Sequence, residues 1–146
     1  TPYFFFFFNL RKYLCEAVQR GVNTIVVMPI HSDVKFVDII RRHYLGILHQ
    51  AGVKIYFYTQ SNLHSKGLMI DNKIFSISSA NFDYRSFRYQ YELALIGEET
   101  SMIPQLRQHF DSTLKHCTSF NYQEWKNRSI FKRLSEVILL PFRYLF

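Results

Sequence analysis

With 146 residues the chain is one domain's worth and long enough to bury a real core. Apolar residues make up 48% and charged residues 20%, which excludes a disordered tail and fits a globular domain. A formal net charge of +7 points to an anionic partner, phospholipid headgroups or nucleic acid, without choosing between them.

In chain order, Thr1–Phe8 reads as a strand, because the aromatic run Phe4 to Phe8 would promote aggregation if exposed. Asn9 is placed to cap a helix to about Arg20, with Leu10, Leu14, Ala17 and Val18 on one face and Gly21 as its stop. Thr24–Met28 is a β-branched run closed by Pro29, hence a buried strand. Ser32 or Asp33 can cap a second helix over Val34–Gln50, ended by Gly52. Val53–Tyr58 is a strand. His64–Ile70, a turn at Asp71-Asn72 and Lys73–Ser78 make a hairpin. Arg88–Ile96 reads as a further strand and Ser101–His116 as a helix. The order β-α-β-α-β-β-β-α predicts an α/β sandwich with a mixed sheet.

Residues 1–122 are expected to form the catalytic domain, and 123–146 a basic, apolar helical tail. In the tail Ile130, Phe131, Leu134, Val137, Ile138 and Leu139 recur at roughly helical spacing around Lys132 and Arg133. That pattern fits either an interfacial helix on anionic membrane or a helix packed on the domain. No apolar window is long enough to predict a spanning helix. Nor do the first residues have the charged and small-residue pattern of a signal peptide. The chain opens without Met and directly in a strand-like segment, which reads as a fragment. Cys15 and Cys117 match no metal or disulfide framework.

The chemistry-bearing segment is His64-Ser65-Lys66-Gly67-Leu68-Met69-Ile70-Asp71. On a strand, His64 and Lys66 share a face. An imidazole beside an ammonium suits attack on a phosphodiester: the ring is the nucleophile, and the lysine neutralises a non-bridging oxygen. Asp71 has the opposite parity and sits at the turn, so a structural place is expected for it. Ser79 and Asn81 follow the hairpin in Ser78-Ser79-Ala80-Asn81 and offer short hydrogen-bonding groups for phosphate oxygens. Glu92 interrupts the apolar stretch Tyr91–Ile96 and needs a partner. Accepting from the second nitrogen of a histidine would orient that ring.

Together these residues resemble the phospholipase D superfamily signature, His-x-Lys-x4-Asp followed by Gly-Ser-x-Asn, with Ser78 in place of Gly. Asn81-Phe82-Asp83-Tyr84-Arg85-Ser86 is similar to the continuation found in bacterial cardiolipin synthases, and Thr1-Pro2-Tyr3-Phe4 to the opening of their second, C-terminal catalytic half. Ser32-Asp33, Arg20-Gly21-Val22, Ala51-Gly52-Val53, Trp125 and Arg128 fit the same half.

The resemblance implies the phospholipase D-like α-β-α sandwich with a mixed central sheet and one catalytic repeat. It implies phosphatidyl transfer between phosphatidylglycerol molecules through a phosphohistidine. His64 would be the nucleophile, or the acid/base partner of a nucleophile in the other half. Lys66, Ser79 and Asn81 would bind phosphate, Glu92 would orient a histidine, and Asp71 would be mainly structural. No metal or other cofactor is implied. In the family two motifs face each other, and this chain holds one, so a second half or a homodimer is the expected partner. Anionic phospholipid is the expected substrate at the bacterial cytoplasmic membrane, with the chain peripheral as it stands and nucleic acid disfavoured. Two alternatives stand beside this reading. One is a nuclease or phospholipase of the same superfamily acting as a homodimer. The other is an inactive half-domain fragment that binds anionic lipid.

Overall fold

A computed structural model describes residues 1–4 and 8–145 of the chain. The elements run α1 (Phe8–Gln19), β1 (Ile25–Pro29), α2 (Lys35–Gln50), β2 (Lys54–Tyr58), β3 (Gly67–Ile70), β4 (Ile74–Ser78) and α3 (Tyr84–Arg88). They continue as β5 (Ala94–Gly97), α4 (Met102–Leu114), β6 (Cys117–Ser119), α5 (Tyr122–Lys126) and α6 (Ile130–Leu139), with a 3-10 segment over Leu140–Leu145.

Parallel strands buried on both faces need near-continuous apolar runs. Ile25–Met28 and Ile55–Phe57 supply them, and β1 pairs parallel with β2 from Ile25↔Lys54 to Pro29↔Tyr58. The crossover between them is α2. Its Val37, Ile40, Leu45 and Leu48 are buried with Val26, Met28, Val53 and Ile55 to form the core. Each such side chain contributes roughly 1.5–3 kcal/mol by leaving water. Gly52, at φ +97°, turns the chain out of α2 where a Cβ would also meet Val18 at 2.8 Å. This confirms Gly21 and Gly52 as the helix stops, both with positive φ.

The mixed sheet closes with β6, antiparallel to β2. A second sheet, β3-β4-β5, is wholly antiparallel. The fold is therefore mixed α/β as expected, and among the described residues its strands divide between two three-stranded sheets.

Several local expectations are corrected. Phe8 begins α1 rather than ending a strand, so Asn9 lies within the helix instead of before it. The rest of the aromatic run, residues 5–7, lies outside the described residues, while Phe4 makes a single parallel bridge to Phe82 and is buried. Neither Ser32 nor Asp33 caps α2: Val34 holds the cap position without a side-chain bond, and the Asp38 carboxylate reaches back to the Ser32 N–H. Arg88–Ile96 is not one strand. Asp83 accepts from the Ser86 N–H at 2.7 Å and starts the helical turn α3, so the ladder resumes only at Ala94. The strand β6 was not anticipated from the sequence.

The tail does not hang free. Trp125 Nε1 donates to the Arg42 carbonyl of α2 at 2.7 Å, and Leu139 and Leu140 pack on the core.

Candidate active site

The site forms where β1 and β2 end. In parallel α/β layers this carboxyl edge is where chain leaves the sheet and side chains converge. Asp33 follows β1, and the segment to His64 and Lys66 follows β2. The regular strand β3 starts only at Gly67, so His64 and Lys66 precede it rather than lie within it. The ladder still continues past the strand end, because the Ser78 N–H donates to the Lys66 carbonyl at 3.0 Å. The hairpin turns where it was expected to: the Lys73 N–H donates to the Ile70 carbonyl, and Asp71 and Asn72 take φ of 50° and 53°. Asp71 is exposed there, at the far end of the strand from His64.

Lys66 is nearly buried, with 9% of its surface exposed. Its Nζ lies 2.9 Å from His64 Nδ1 and also donates to the His64 carbonyl at 2.9 Å. The same Nζ lies 3.4 Å from His64 Nε2, so the ammonium sits against the imidazole itself. Burial pushes the Lys66 ammonium below its ordinary pKa, and Glu92, Asp33 and Asp83 oppose that shift. A cation held this way, among acids and partly stripped of water, is suited to a phosphate oxygen.

Glu92 is half-buried just before β5, not inside it. Its carboxylate accepts from the Ser79 hydroxyl rather than from His64. Ser79 also fixes the neighbouring backbone: its N–H donates to the Leu93 carbonyl, and its hydroxyl accepts from the Leu93 N–H, both at 3.0 Å. Ser78 pairs with Ala94 in the ladder, and its N–H meets Lys66. Glu92 stands two residues before Ala94, near enough to Lys66 to act on its charge.

Asn81 donates its N–H to Ser86 Oγ, while its Oδ1 is buried with no hydrogen-bond partner among the described residues. A buried polar atom left open inside a motif is what a ligand-binding group looks like before its ligand arrives.

Two contributors were not picked out as site residues from the sequence. Tyr3 donates to Asp33 Oδ1 at 2.5 Å, and Asp33 lies close enough to raise the Lys66 pKa. Burial first, and Asp33 second, push the Tyr3 hydroxyl up to about 12. An acid directly beyond a buried strand's carboxyl end was the available signal for Asp33. The surface hollow lined by Asn72, Thr100, Ile103, Pro104 and Arg107 lies at the hairpin tip, not at His64.

Solved structures share the architecture. The phospholipase D family member Nuc of Salmonella typhimurium superposes with TM-score 0.68 at 17% identity, covering 82% of this chain and 78% of its own. Phosphatidylserine synthase of Haemophilus influenzae superposes with TM-score 0.72 at 12% identity, over 99% of this chain and 38% of its own. These fix the class as a phospholipase D-like fold.

The family described as cardiolipin synthase, PLD-like domain, matches residues 1–114. A cardiolipin synthase of Oceanobacillus iheyensis is 35% identical over 138 residues, covering 94% of this chain. One from Clostridium perfringens is 33% identical over 139 residues, or 95% of this chain. The chain belongs to the family of phospholipase D-like domains of cardiolipin synthase. It spans 29% of the length of each of these two relatives.

Proposed function

We propose that the chain is the C-terminal catalytic half of a cardiolipin-synthase-type phosphatidyltransferase, completed by a second half. The observation that carries this is the contact of Lys66 Nζ with His64 Nδ1, inside the family's motif and beside the Ser79–Glu92 pair.

His64 attacks the phosphorus of one phosphatidylglycerol while Lys66 neutralises the charge building on a non-bridging oxygen. The P–O bond to the headgroup glycerol breaks, and that oxygen takes a proton from a histidine of the second half. The phosphatidyl-histidine is then attacked by a hydroxyl of a second phosphatidylglycerol, whose proton returns to that histidine. Cardiolipin leaves and His64 is regenerated. Glu92, held by Ser79 in this chain, is available to orient the opposing histidine. Asn81 and Lys66 receive the phosphate, and Asp71 serves the turn. Water must be kept out for transfer to exceed hydrolysis, and packing of the second half over this open edge supplies that exclusion.

The test incubates the chain, alone and with a first-half partner, with labelled phosphatidylglycerol. Cardiolipin formation abolished by His64→Ala is expected. Cleavage of DNA with no action on lipid would overturn the reading in favour of a homodimeric nuclease. A monomeric mass with no turnover in either mixture would favour an inactive lipid-binding half-domain.

A further inference from the structure

Helix α6 is inverted relative to an ordinary surface helix, whose apolar stripe faces the core. Its inward arc carries Glu136, with none of its surface exposed, gripped by Arg128 through two bonds of 2.9 Å. Its outward arc carries Ile130, Phe131, Leu134, Val137 and Ile138, all exposed, with Phe131 at 83% and Ile130 at 78%. Phe142, on the 3-10 segment that follows, is also exposed. An exposed apolar arc of this kind marks a surface that meets something other than water.

Charge and position select the occupant. Between residues 125 and 145 the only acid is Glu136, against Lys126, Arg128, Lys132, Arg133 and Arg143. Glu136 is buried and paired with Arg128, so the exposed charge beside the strip is basic: Lys126, Lys132 and Arg133 all face solvent. A second copy of this chain meeting it arc to arc would bring the two basic flanks together. An anionic lipid surface satisfies both the apolar arc and its basic flank. The strip also leads toward the site. The 3-10 segment packs on α3, which follows Asn81, and Phe142 meets Phe36 at the start of α2, just beyond Asp33.

We infer that the outward arc of α6 with Phe142 is a membrane-docking surface, which seats the chain on anionic lipid with the His64 edge next to the headgroups. This rests on the phospholipid reading of the site, because it supplies that substrate without extracting it from the bilayer.

The test is flotation of the chain with vesicles of phosphatidylglycerol and, in parallel, of phosphatidylcholine. Phosphatidylglycerol vesicles should carry the chain, and phosphatidylcholine vesicles should carry far less. Phe131→Ser and Leu134→Ser should each lower partitioning on the order of 10-fold. The urea midpoint of Phe131→Ser should not fall, since that side chain already faces water in the fold. Vesicle binding unchanged by both substitutions would overturn the inference. So would a change in sedimentation mass of the variants in lipid-free buffer, which would assign the arc to a protein contact. His64→Ala should float like the unaltered chain. Variant-sensitive flotation without any lipid turnover would therefore sink the transferase reading alone, and turnover with variant-insensitive flotation would sink the docking surface alone.

Discussion

Gly46→Ala sets helix propensity against packing. In an α-helix interior the change should stabilise by about 1 kcal/mol, because glycine loses more backbone freedom on folding than alanine. Position 46 lies in the middle of α2, so propensity alone predicts a gain. The tertiary structure predicts a loss. A Cβ at 46 would stand 2.2 Å from Cη2 and 2.3 Å from Cζ2 of Trp125. Carbon atoms in contact normally sit roughly 3.5–4.0 Å apart, so the overlap exceeds an ångström. The indole has little room to yield. It donates to the Arg42 carbonyl, stacks on Tyr122 with centroids 5.6 Å apart, and lies under Arg128 at 3.9 Å. Displacing it costs about 1–3 kcal/mol in overpacking and about 1 kcal/mol in its hydrogen bond, so the clash outweighs the propensity gain. The net expectation is a loss of about 1–3 kcal/mol. In a Trp125→Ala background the obstacle is gone, and the same substitution should stabilise by up to about 1 kcal/mol. Urea denaturation followed by far-ultraviolet circular dichroism reads all four corners of the cycle without needing the sole tryptophan. A gain in stability in the unaltered background, or a coupling below about 0.5 kcal/mol, would refute the packing of α5 on α2 described above.

Three other outcomes are expected. Arg128→Met leaves the Glu136 carboxylate buried without its principal partner and should cost about 3–5 kcal/mol, a fall of roughly 10 °C in Tm; adding Glu136→Leu should recover most of it in calorimetry. The Tyr3 hydroxyl is raised from 10.0 to about 12, so the folded chain keeps that proton when the unfolded chain loses it. Its stabilisation is complete below pH 10 and is lost as pH rises toward about 12; Tyr3→Phe should flatten that stretch of the stability–pH curve measured by urea titration. Ser79→Ala frees Glu92 and the Leu93 backbone, and should reduce turnover of labelled phosphatidylglycerol on the order of 100-fold by misplacing the carboxylate, while Ser79→Thr restores most of it.

Much of this protein was legible because local rules and tertiary demands agree. Thr24–Met28 and Val53–Tyr58 are β-branched and aromatic runs too short for a helix and too apolar for solvent, and they fold within a residue of those limits as β1 and β2. Asp71-Asn72 between two apolar stretches predicts a hairpin because both residues tolerate positive φ, and both adopt it. The spacing of His64 and Lys66 predicts their proximity, and the structure gives it at 2.9 Å.

Other features depended on groups distant in sequence. Residues 89–93 have strand composition, but the Asp83 cap turns the backbone before them into α3, and Leu93 bonds to Ser79 just ahead of the ladder. Tyr3 and Asp33 join the Lys66 environment from segments separated by 30 residues or more, a juxtaposition that the β1–α2–β2 crossover creates. Helix α6 shows the division most clearly. Periodicity states which side chains share an arc, so the amphipathic character of 130–139 was fixed by sequence. It does not state which arc faces inward, because that depends on what partner waits there. Arg128 waits there for Glu136, and the apolar side therefore faces out.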